Sequence, residues 1–458
     1  MRQPFEPRAL LVHLQRLVPD ASAALHCVVA LSGGLDSVAL LHCLAQARKL
    51  LPGGLALRAV HVDHHLQQAA PRFRAFSRRF ARNLGVTLAV RDAHVQVPRG
   101  GSVEEAARLA RYEILKAQLR PGELLLTAQH ADDQLETVLL ALLRGAGPAG
   151  LAAMPAVMPF GAGKLVRPLL EVDRATLADY VNKAGLEWIE DPTNVQLRFD
   201  RNFLRADVVP RLRARWPSVA QTVGRSARHC GEAEAQIELR ARRDLDLACD
   251  GPDLEIAVLR RWERTRQKAV LRAWFTRRGA RAPDERRLDE AIRMFDARPD
   301  AMPLLAWQGA RLRRYRGRLT LEVGKVFATA GIARQEAQAW QWDWRQPLEL
   351  PGGKLAIHRD AQGDLDLDRL PASVGVRLGP GETAGRRLRT LLQELGVPNW
   401  KRAGLPLLYD GAGGKQSGQA RGVVNGHLLA VRDLWLADAL RSSDGTRNRG
   451  RIVWRDSR

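Results

Sequence analysis

The stretch that decides the fold runs from Cys27 to Leu44 and reads Cys-Val-Val-Ala-Leu-Ser-Gly-Gly-Leu-Asp-Ser-Val-Ala-Leu-Leu-His-Cys-Leu. Its apolar start, residues 27–31, predicts a buried parallel strand, and the apolar spacing after the glycines predicts a helix. Between the two, residues 32–37 combine glycines with hydroxyls, so the backbone can approach an anion at which the N–H groups of the helix start point. The stretch therefore predicts a phosphate-binding loop in an α/β domain.

This loop lacks the Gly-Lys-Ser/Thr of a Walker loop, so no lysine reaches the outer phosphates of a nucleotide. The hexapeptide resembles the SGGxDS motif of the N-type ATP pyrophosphatases, also called PP-loop enzymes. The resemblance implies ATP binding by Ser32, Gly33, Gly34, Leu35, Asp36 and Ser37. A carboxylate beside a polyphosphate is repulsive unless a cation lies between them, so we predict that Asp36 is a Mg²⁺ ligand.

A second predicted strand, residues 55–62, ends in His61-Val62-Asp63-His64-His65. Ligands of open α/β sheets bind beyond the carboxyl ends of the strands, so Asp63 and His64 are candidates to contact the base or ribose of ATP. Metal binding by the histidines is the competing interpretation.

A third predicted strand, residues 123–127, is followed by a helix that opens with three carboxylates. Asp132 and Glu136 are four residues apart and Asp133 and Glu136 three apart, so their side chains converge on nearly one face. Acidic residues at a helix start also serve simply as partners of the helix dipole. At the same sheet edge as Asp36, however, they form a candidate site for Mg²⁺ or a cationic substrate.

The composition points to a polyanionic partner. The chain has 458 residues, enough for two to four domains, and a net charge of +22, of which residues 198–458 carry +18. Such an excess favours nucleic acid, although part of the arginine content is also explained by genome composition. The four scattered cysteines indicate a reduced, cytoplasmic protein, and no apolar run is long enough to span a membrane.

The later segments read as a basic helical region followed by a smaller mixed region. Residues 218–298 predict Arg-rich amphipathic helices, and residues 311–319 predict a basic hairpin with Arg316-Gly317 at the turn. Trp340, Trp342 and Trp344 fit core packing better than base stacking. Further along, the basic residues Arg386, Arg387 and Arg389 open an apolar helix face. A Gly-rich stretch, residues 411–422, predicts a disordered insert, and the tail from residue 442 predicts a mobile terminus.

Several segments together resemble the tRNA(Ile)-lysidine synthases of bacteria. They are Thr127-Ala-Gln-His-Ala-Asp-Asp-Gln-Leu-Glu-Thr137, Arg144-Gly-Ala-Gly-Pro-Ala-Gly-Leu151, Arg167-Pro-Leu-Leu170, Trp188-Ile-Glu-Asp-Pro-Thr-Asn194 and Asp200-Arg-Asn-Phe-Leu-Arg205. Their order and spacing match throughout residues 27–217. The family more commonly has His-Val-Asn-His-Gly where this chain has His61-Val-Asp-His-His65.

The resemblance implies an enzyme that ligates L-lysine to C2 of the wobble cytidine in the CAU anticodon of tRNA(Ile), through an adenylated tRNA, with release of AMP and pyrophosphate. It implies ATP and Mg²⁺ as cofactors. The implied catalytic residues are Asp36, Asp133 and Glu136; Arg111, in an A-R-x-x-R-Y segment, joins the ATP site. The residues implied for lysine or tRNA are His130, Asp132, Arg201, Asn202, Arg205, Arg386, Arg387 and Arg389.

The predicted architecture is a doubly wound parallel-sheet PP-loop domain, residues 1–217, followed by a mainly helical, basic tRNA-binding domain, residues 218–330. A connecting segment, residues 331–370, leads to a small α+β tRNA-binding domain, residues 371–458. The sequence indicates no obligatory protein partner. Two other functions stay open: a PP-loop tRNA thiolase, which needs a persulfide-carrying or cluster-binding cysteine, and a non-catalytic RNA-binding protein regulated by ATP.

Overall fold

The structure is a computed structural model that describes residues 5–20, 24–50, 54–63, 70–93, 95, 103–190, 200–298, 301–324, 339–380, 385–410 and 426–456. The contacts divide the chain into two compact units, Met1–Ile237 and Glu238–Arg458. The predicted His64, and the predicted insert at residues 411–422, lie outside the described residues. None of the helices in these ranges is long and apolar enough to cross a membrane.

The first unit is built on a six-stranded sheet. Its strands are β1 (Leu25–Ala30), β2 (Leu55–Asp63), β3 (Thr87–Asp92), β4 (Leu124–Leu126), β5 (Val157–Phe160) and β6 (Gly163–Val166). Their order is β3-β2-β1-β4-β6-β5, and only β5 pairs antiparallel. The chain leaves β1 for β2 on one side and later returns to β4 on the other. This reversal of order beside β1 creates the crevice in which doubly wound sheets bind ligands, which confirms the predicted fold class.

Helices cover both faces of this sheet. They are α1 (Pro7–Leu17), α2 (Leu35–Ala47), α3 (Ala70–Asn83), α4 (Val103–Ala117), α5 (Ala131–Leu143), α6 (Pro148–Leu151), α7 (Arg174–Lys183), α8 (Asp200–Phe203) and α9 (Val209–Arg215), with a π-helical turn at Leu204–Val208. Alternate residues of β1 lie on opposite faces of the sheet. Val29 packs in one core with Leu41 of α2, and Val28 packs in a second core with Leu115 of α4. Because both faces are buried, β1 reads as a continuous apolar run.

The second unit begins within α10 (Val219–Ala248) and continues with α11 (Ile256–Leu259), α12 (Arg264–Arg277) and α13 (Glu285–Arg293). These helices pack around Trp274 and Phe275 together with a sheet in the order β7-β8-β11-β10-β9. Its strands are β7 (Cys249–Asp250), β8 (Asp253–Glu255), β9 (Leu304–Trp307), β10 (Ala310–Tyr315) and β11 (Arg318–Val323). The basic hairpin predicted from residues 311–319 is the pair β10–β11.

The remainder of the second unit forms two further sheets, β12-β16-β17-β18-β19 and β13-β14-β20-β15. The strands are β12 (Ala339–Trp342), β13 (Leu348–Leu350), β14 (Gly353–Arg359), β15 (Leu365–Asp366), β16 (Val374–Leu378), β17 (Pro406–Tyr409), β18 (Leu428–Val431), β19 (Trp435–Leu436) and β20 (Arg449–Asp456). Two helices, α14 (Arg386–Glu394) and α15 (Asn399–Arg402), lie between β16 and β17. Trp342 is buried in this core, and Trp340 and Trp344 pack against it.

The segment 331–370, predicted to connect domains, contains strands of both sheets: β12 pairs with β16, and β14 pairs along its whole length with β20. The tail from residue 442, predicted to be mobile, includes β20. The sequence did not predict these strand pairs. The physical reason is distance along the chain: each strand is short, and its partner lies up to about 100 residues away, as with Gly353 and Asp456, so no local signal reveals the pair. The boundary at residue 217 stays a prediction.

Candidate active site

The loop between β1 and α2 has the backbone that a phosphate site requires. Gly33 has φ +89°, and a Cβ atom placed on it would lie 3.2 Å from Cδ1 of Phe73. Any other residue would therefore combine a strained backbone with a close contact. The loop is fixed from outside as well, because Ile189 N donates to Gly33 O at 3.0 Å and the His61 ring lies 2.9 Å from Leu31 O.

Ser37 holds the loop together from the first turn of α2. Its Oγ accepts from the N–H groups of Ser32 and Gly33, both at 3.2 Å, and donates to Gly34 O at 3.0 Å. Gly34 N also donates, to Ser32 Oγ at 3.3 Å, so three of the backbone donors predicted to face phosphate are used inside the loop. The donors left for an anion are those of the first turn of α2, residues 35–37, which have no partner within a helix. Ser37 therefore stabilises the conformation of the phosphate loop.

Asp63, predicted to contact the nucleotide, is engaged within the protein. It lies at the end of β2, is 4% exposed, and accepts from Arg74 Nε at 3.0 Å. Arg74 also pairs with Asp92 at the end of β3. The described contacts of Asp63 thus tie α3 to the carboxyl edge of the sheet, and its nucleotide role stays a prediction.

Asp36 meets the acidic helix start through His130. The Nε2 atom of His130 lies 3.7 Å from Asp36 Oδ2 and 3.4 Å from Asp133 Oδ2, and the histidine is 1% exposed. Arg174 Nε lies 4.0 Å from the other oxygen of Asp36. Burial raises the pKa of Asp36, and His130 and Arg174 oppose this shift. The predicted convergence of carboxylates with the phosphate loop is what the structure shows.

Asp132 and Asp133 each accept a hydrogen bond from a backbone N–H group and contact an arginine, but the partners differ. Asp132 is 7% exposed, accepts from the backbone N–H of Arg174 at 2.9 Å and forms an ion pair with Arg213. Asp133 Oδ2 accepts from His130 N at 3.1 Å and thereby caps the start of α5. Its Oδ1 accepts from Arg205 at 3.1 Å. Asp132 therefore fixes α7 and α9 around the site, whereas Asp133 lies between His130 and Arg205.

Glu136 is the most deeply buried carboxylate of the site. It is 1% exposed, and Arg205 donates to both of its oxygens, at 2.7 and 3.0 Å. Arg201 Nε lies 3.2 Å from Glu136 Oε2, and its guanidinium also donates to Thr137 Oγ1 at 2.8 Å. Burial raises the pKa of Glu136 and the arginine bonds oppose it. This geometry favours Glu136 as a residue that positions Arg201 and Arg205, both about one-third exposed.

Arg111 belongs to a separate cluster of positive charge on α4. The guanidinium carbons of Arg108 and Arg111 lie 5.7 and 5.8 Å from the ring centre of Tyr112. Arg167, which follows β6 and is 4% exposed, belongs to the same cluster. Burial alone would raise the pKa of Tyr112, but Arg167, Arg111 and Arg108 lower it below its usual value. Arg111 is thus placed among like charges that suit an anion.

The other predicted residues lie elsewhere. Asn202 is on α8, between the two arginines that bind the acidic helix. Arg386, Arg387 and Arg389 are exposed on α14 in the second unit. The sequence analysis did not predict Arg174, Arg213 or Thr137 as site residues. The Asp at the N-cap of α7 predicts only that Arg174 lies in the first turn of a helix. No local sequence pattern distinguishes Arg213 or Thr137.

The donor set fits Mg²⁺ only if ATP supplies most of the ligands. Among the described residues, no group of three or more His, Cys, Asp or Glu side chains is arranged to hold a metal by itself. Asp36 Oδ1, however, is buried and has no hydrogen-bond partner within the described part of the chain. Protein sites for Mg²⁺ commonly provide one or two carboxylates and leave the rest to phosphates and water. Asp36 fits that role.

The fold and the loop define the chain as a PP-loop protein, and family models agree. A PP-loop domain model matches residues 9–212, a TilS substrate binding domain model residues 254–320, and a TilS substrate C-terminal domain model residues 372–414. The PP-loop match implies the use of ATP. Among solved structures, a U34-tRNA thiolase from Methanococcus maripaludis superposes with a TM-score of 0.40 at 14% identity, over 49% of this chain and 79% of that chain.

Curated relatives narrow the class. The tRNA(Ile)-lysidine synthase of Pseudomonas aeruginosa is 43% identical over 89% of this chain and 91% of its own length. Those of Escherichia coli O157:H7 and Coxiella burnetii are 40% and 35% identical, over 84% and 89% of this chain and 89% and 90% of their own lengths. The chain belongs to the tRNA(Ile)-lysidine synthase family. The resemblance read from the sequence motifs is confirmed.

Proposed function

We propose that this protein ligates L-lysine to C2 of the wobble cytidine in the CAU anticodon of tRNA(Ile), with conversion of ATP to AMP and pyrophosphate. The observation that carries the proposal is that Asp36, beside the phosphate loop, and Asp133, at the acidic helix start, both lie within 4 Å of Nε2 of one buried histidine, His130. An ATP site and a site for a cationic amine therefore adjoin.

In the first step, the C2 oxygen of the cytidine attacks the α-phosphorus of ATP and the bond to pyrophosphate breaks. The N–H groups of residues 35–37 stabilise the negative charge that develops on the leaving pyrophosphate. Arg111 provides positive charge near the phosphates. Asp36 would hold Mg²⁺, which when bound neutralises phosphate charge.

In the second step, the ε-amine of lysine attacks C2, and the C2–O bond breaks so that the oxygen leaves with AMP. The ammonium must first lose a proton. Asp133 is the candidate for binding and deprotonating it, because each carboxylate oxygen has a second lone pair beyond its bond to His130 N or Arg205. His130 and Asp132 hold the start of α5 in place. Glu136 orients Arg201 and Arg205 toward the substrates.

The tRNA would be held by positive charge outside the phosphate loop. Residues 198–458 carry +18, and Arg386, Arg387 and Arg389 stand exposed on one short helix. Such side chains suit phosphate contacts, which position a nucleic acid without reading its sequence. Arg201 and Asn202, next to the acidic helix start, are the candidates to contact the anticodon end.

The thiolase alternative is disfavoured by the raised pKa values of the Cys27 and Cys43 thiols. Burial raises the pKa of Cys27 and of Cys43 to about 12, so neither is a thiolate at neutral pH, and a thiolate is the reactive form. The non-catalytic alternative leaves the carboxylates of the acidic helix start with a structural role alone, which is to hold Arg201, Arg205 and Arg213. Both alternatives nevertheless make different predictions from ligation.

The deciding experiment mixes the protein with ATP, lysine and a transcript of tRNA(Ile) with a CAU anticodon, and measures pyrophosphate release and the mass of the wobble nucleotide. We expect release that depends on this tRNA, and a mass gain equal to lysine minus water. A transcript with the wobble cytidine changed to uridine is the matched control. A parallel reaction with a sulfide donor in place of lysine tests the thiolase: incorporation of sulfur there, without ligation of lysine, would establish it. ATP binding without turnover in either reaction would establish the non-catalytic alternative.

A further inference from the structure

The tip of the β10–β11 hairpin contains an arginine in an unfavourable backbone conformation. Arg316 has φ +47° and the following Gly317 has φ +75°, which are the angles of a type I′ turn. That turn favours Asn-Gly, because a residue with a long side chain is strained at positive φ. A strained residue persists only where surrounding contacts hold it, and Arg316 has such contacts.

Arg316 reaches the end of α14. Its guanidinium donates to the carbonyl oxygen of Gln393, in the last turn of that helix. A cation that binds the last carbonyls of a helix stabilises its C-terminus. The contact is close, because a Cβ atom on Gly396, just past the helix, would lie 3.2 Å from Arg316 Nη1. The hairpin tip therefore caps the helix that bears Arg386, Arg387 and Arg389.

A second contact joins the hairpin to α15, the short helix that follows α14, through Trp400. The Tyr315 ring meets the Trp400 ring edge to face, with centroids 5.7 Å apart. From the same hairpin, the guanidinium carbon of Arg313 lies 4.8 Å from the Trp400 ring centre, and Glu322 across the hairpin holds Arg313 at 3.5 Å. Both contacts are of kinds that stabilise beyond simple area burial. We call Arg313, Tyr315, Arg316, Gln393 and Trp400 the hairpin joint.

We propose that the hairpin joint fixes α14 in one orientation on the β10–β11 hairpin, so that its arginines are presented pre-oriented to tRNA phosphates. The inference rests on the proposed tRNA-binding function. Arg316 and Trp400 are positioning residues in this account, because their polar and aromatic groups are used within the protein. If α14 is correctly placed only one-tenth of the time without the joint, the affinity for tRNA falls about tenfold.

The test uses Arg316→Asn, which supplies the residue that a type I′ turn prefers and removes the guanidinium, together with Trp400→Ala and Trp400→Phe. The matched control is Arg345→Asn, because Arg345 also stacks on a tryptophan, with its guanidinium carbon 4.6 Å from the Trp344 ring centre, but away from the hairpin. Each full-length variant is measured for tRNA affinity at several salt concentrations, for ATP affinity, and for hydrogen exchange of the α14 amides.

We expect Arg316→Asn and Trp400→Ala to weaken tRNA binding about tenfold and to speed exchange in α14. The slope of log tRNA affinity against log salt concentration, called the salt slope, stays unchanged, and so does the ATP affinity. Trp400→Phe retains most of the tRNA binding, and the control behaves as wild type. A fall in the slope by about 0.7 to 0.9 per variant without faster exchange would make Arg316 a direct phosphate contact and overturn the proposal. Faster exchange with unchanged tRNA affinity would also overturn it.

A fifth variant separates this proposal from the proposed function. Replacing Arg386, Arg387 and Arg389 together by Gln leaves the hairpin joint intact and removes the phosphate contacts. We expect weaker tRNA binding and a flatter salt dependence. If that variant binds tRNA as wild type does, α14 is not a tRNA-binding element and the function assigned to it fails. If it binds weakly while the joint variants bind normally, only the positioning role fails.

Discussion

Replacing Glu136 by Gln tests whether this carboxylate organises the arginines of the candidate active site. The change keeps the shape of the side chain and removes its charge. Arg205 then loses one of two parallel charge-assisted bonds, now at 2.7 and 3.0 Å, and Arg201 loses its ion pair. The buried amide N–H₂ group of the new Gln would face guanidinium donors, with which it has no favourable contact.

The size of the effect follows from burial. Breaking a buried ion pair by removing one partner typically costs about 3–5 kcal/mol. Arg205 is 34% exposed, so water relieves part of this cost, and we expect the first unit to lose about 2–3 kcal/mol of unfolding free energy. For a unit of this size, that lowers Tm by roughly 4–12 °C. Pyrophosphate release should fall to background, because Arg205 is no longer held.

The assay combines thermal unfolding with turnover, in a double-mutant cycle with Arg205→Met. If the two residues act on each other, the double variant is less destabilised than the sum of the single variants, by about 0.5–3 kcal/mol. Asp207→Asn is the control, because it also removes an acidic partner of an arginine, Arg211, on the exposed surface. Wild-type Tm and wild-type turnover in Glu136→Gln would refute the positioning role.

Three further predictions concern other parts of the chain. Asp36→Asn should abolish pyrophosphate release while Tm changes little, since Asp36 lies in the first turn of α2 and its Oδ1 has no hydrogen-bond partner among the described residues; turnover at the wild-type rate would contradict this. Replacing the three arginines of α14 by Gln should lower the salt slope of tRNA binding by about 2 to 3; an unchanged slope would exclude these contacts. The buried thiols of Cys27 and Cys43, with pKa near 12 against an ordinary 9.0, bind protons that the unfolded chain releases. Stability should therefore be retained below pH 9 and lost as the pH rises toward 12, and an unfolding free energy flat over that range in the wild type would show that the thiols are not buried.

The parts of the fold that were predictable have local signals. An apolar strand, a glycine pair and a helical period specify β1, the loop and α2 within twenty residues, and the spacing of Asp133 and Glu136 places both on one helix face. The pairing of β14 with β20 had no such signal, because it joins residues about 100 positions apart. A consequence is that truncation at residue 371 would remove the partners of β12 and β14, so substitutions on α14 are the sounder test of that region.

The ion pairs of the acidic helix start could not be predicted from the sequence, because the spacing of the carboxylates does not reveal which arginines they contact. Asp132 is matched by Arg213, Glu136 by Arg205 and Arg201, and Asp36 by the more distant Arg174. Four carboxylates that appear in the sequence as a concentrated negative site are thus nearly balanced in the fold. Asp36 is the least tightly paired of them: Arg174 Nε lies 4.0 Å from one of its oxygens, and His130 Nε2 lies 3.7 Å from the other. A buried carboxylate with a raised pKa and weak partners gains the most from a cation, so this charge balance supports the proposal that Asp36 holds Mg²⁺, whereas the other three carboxylates are in direct contact with arginines.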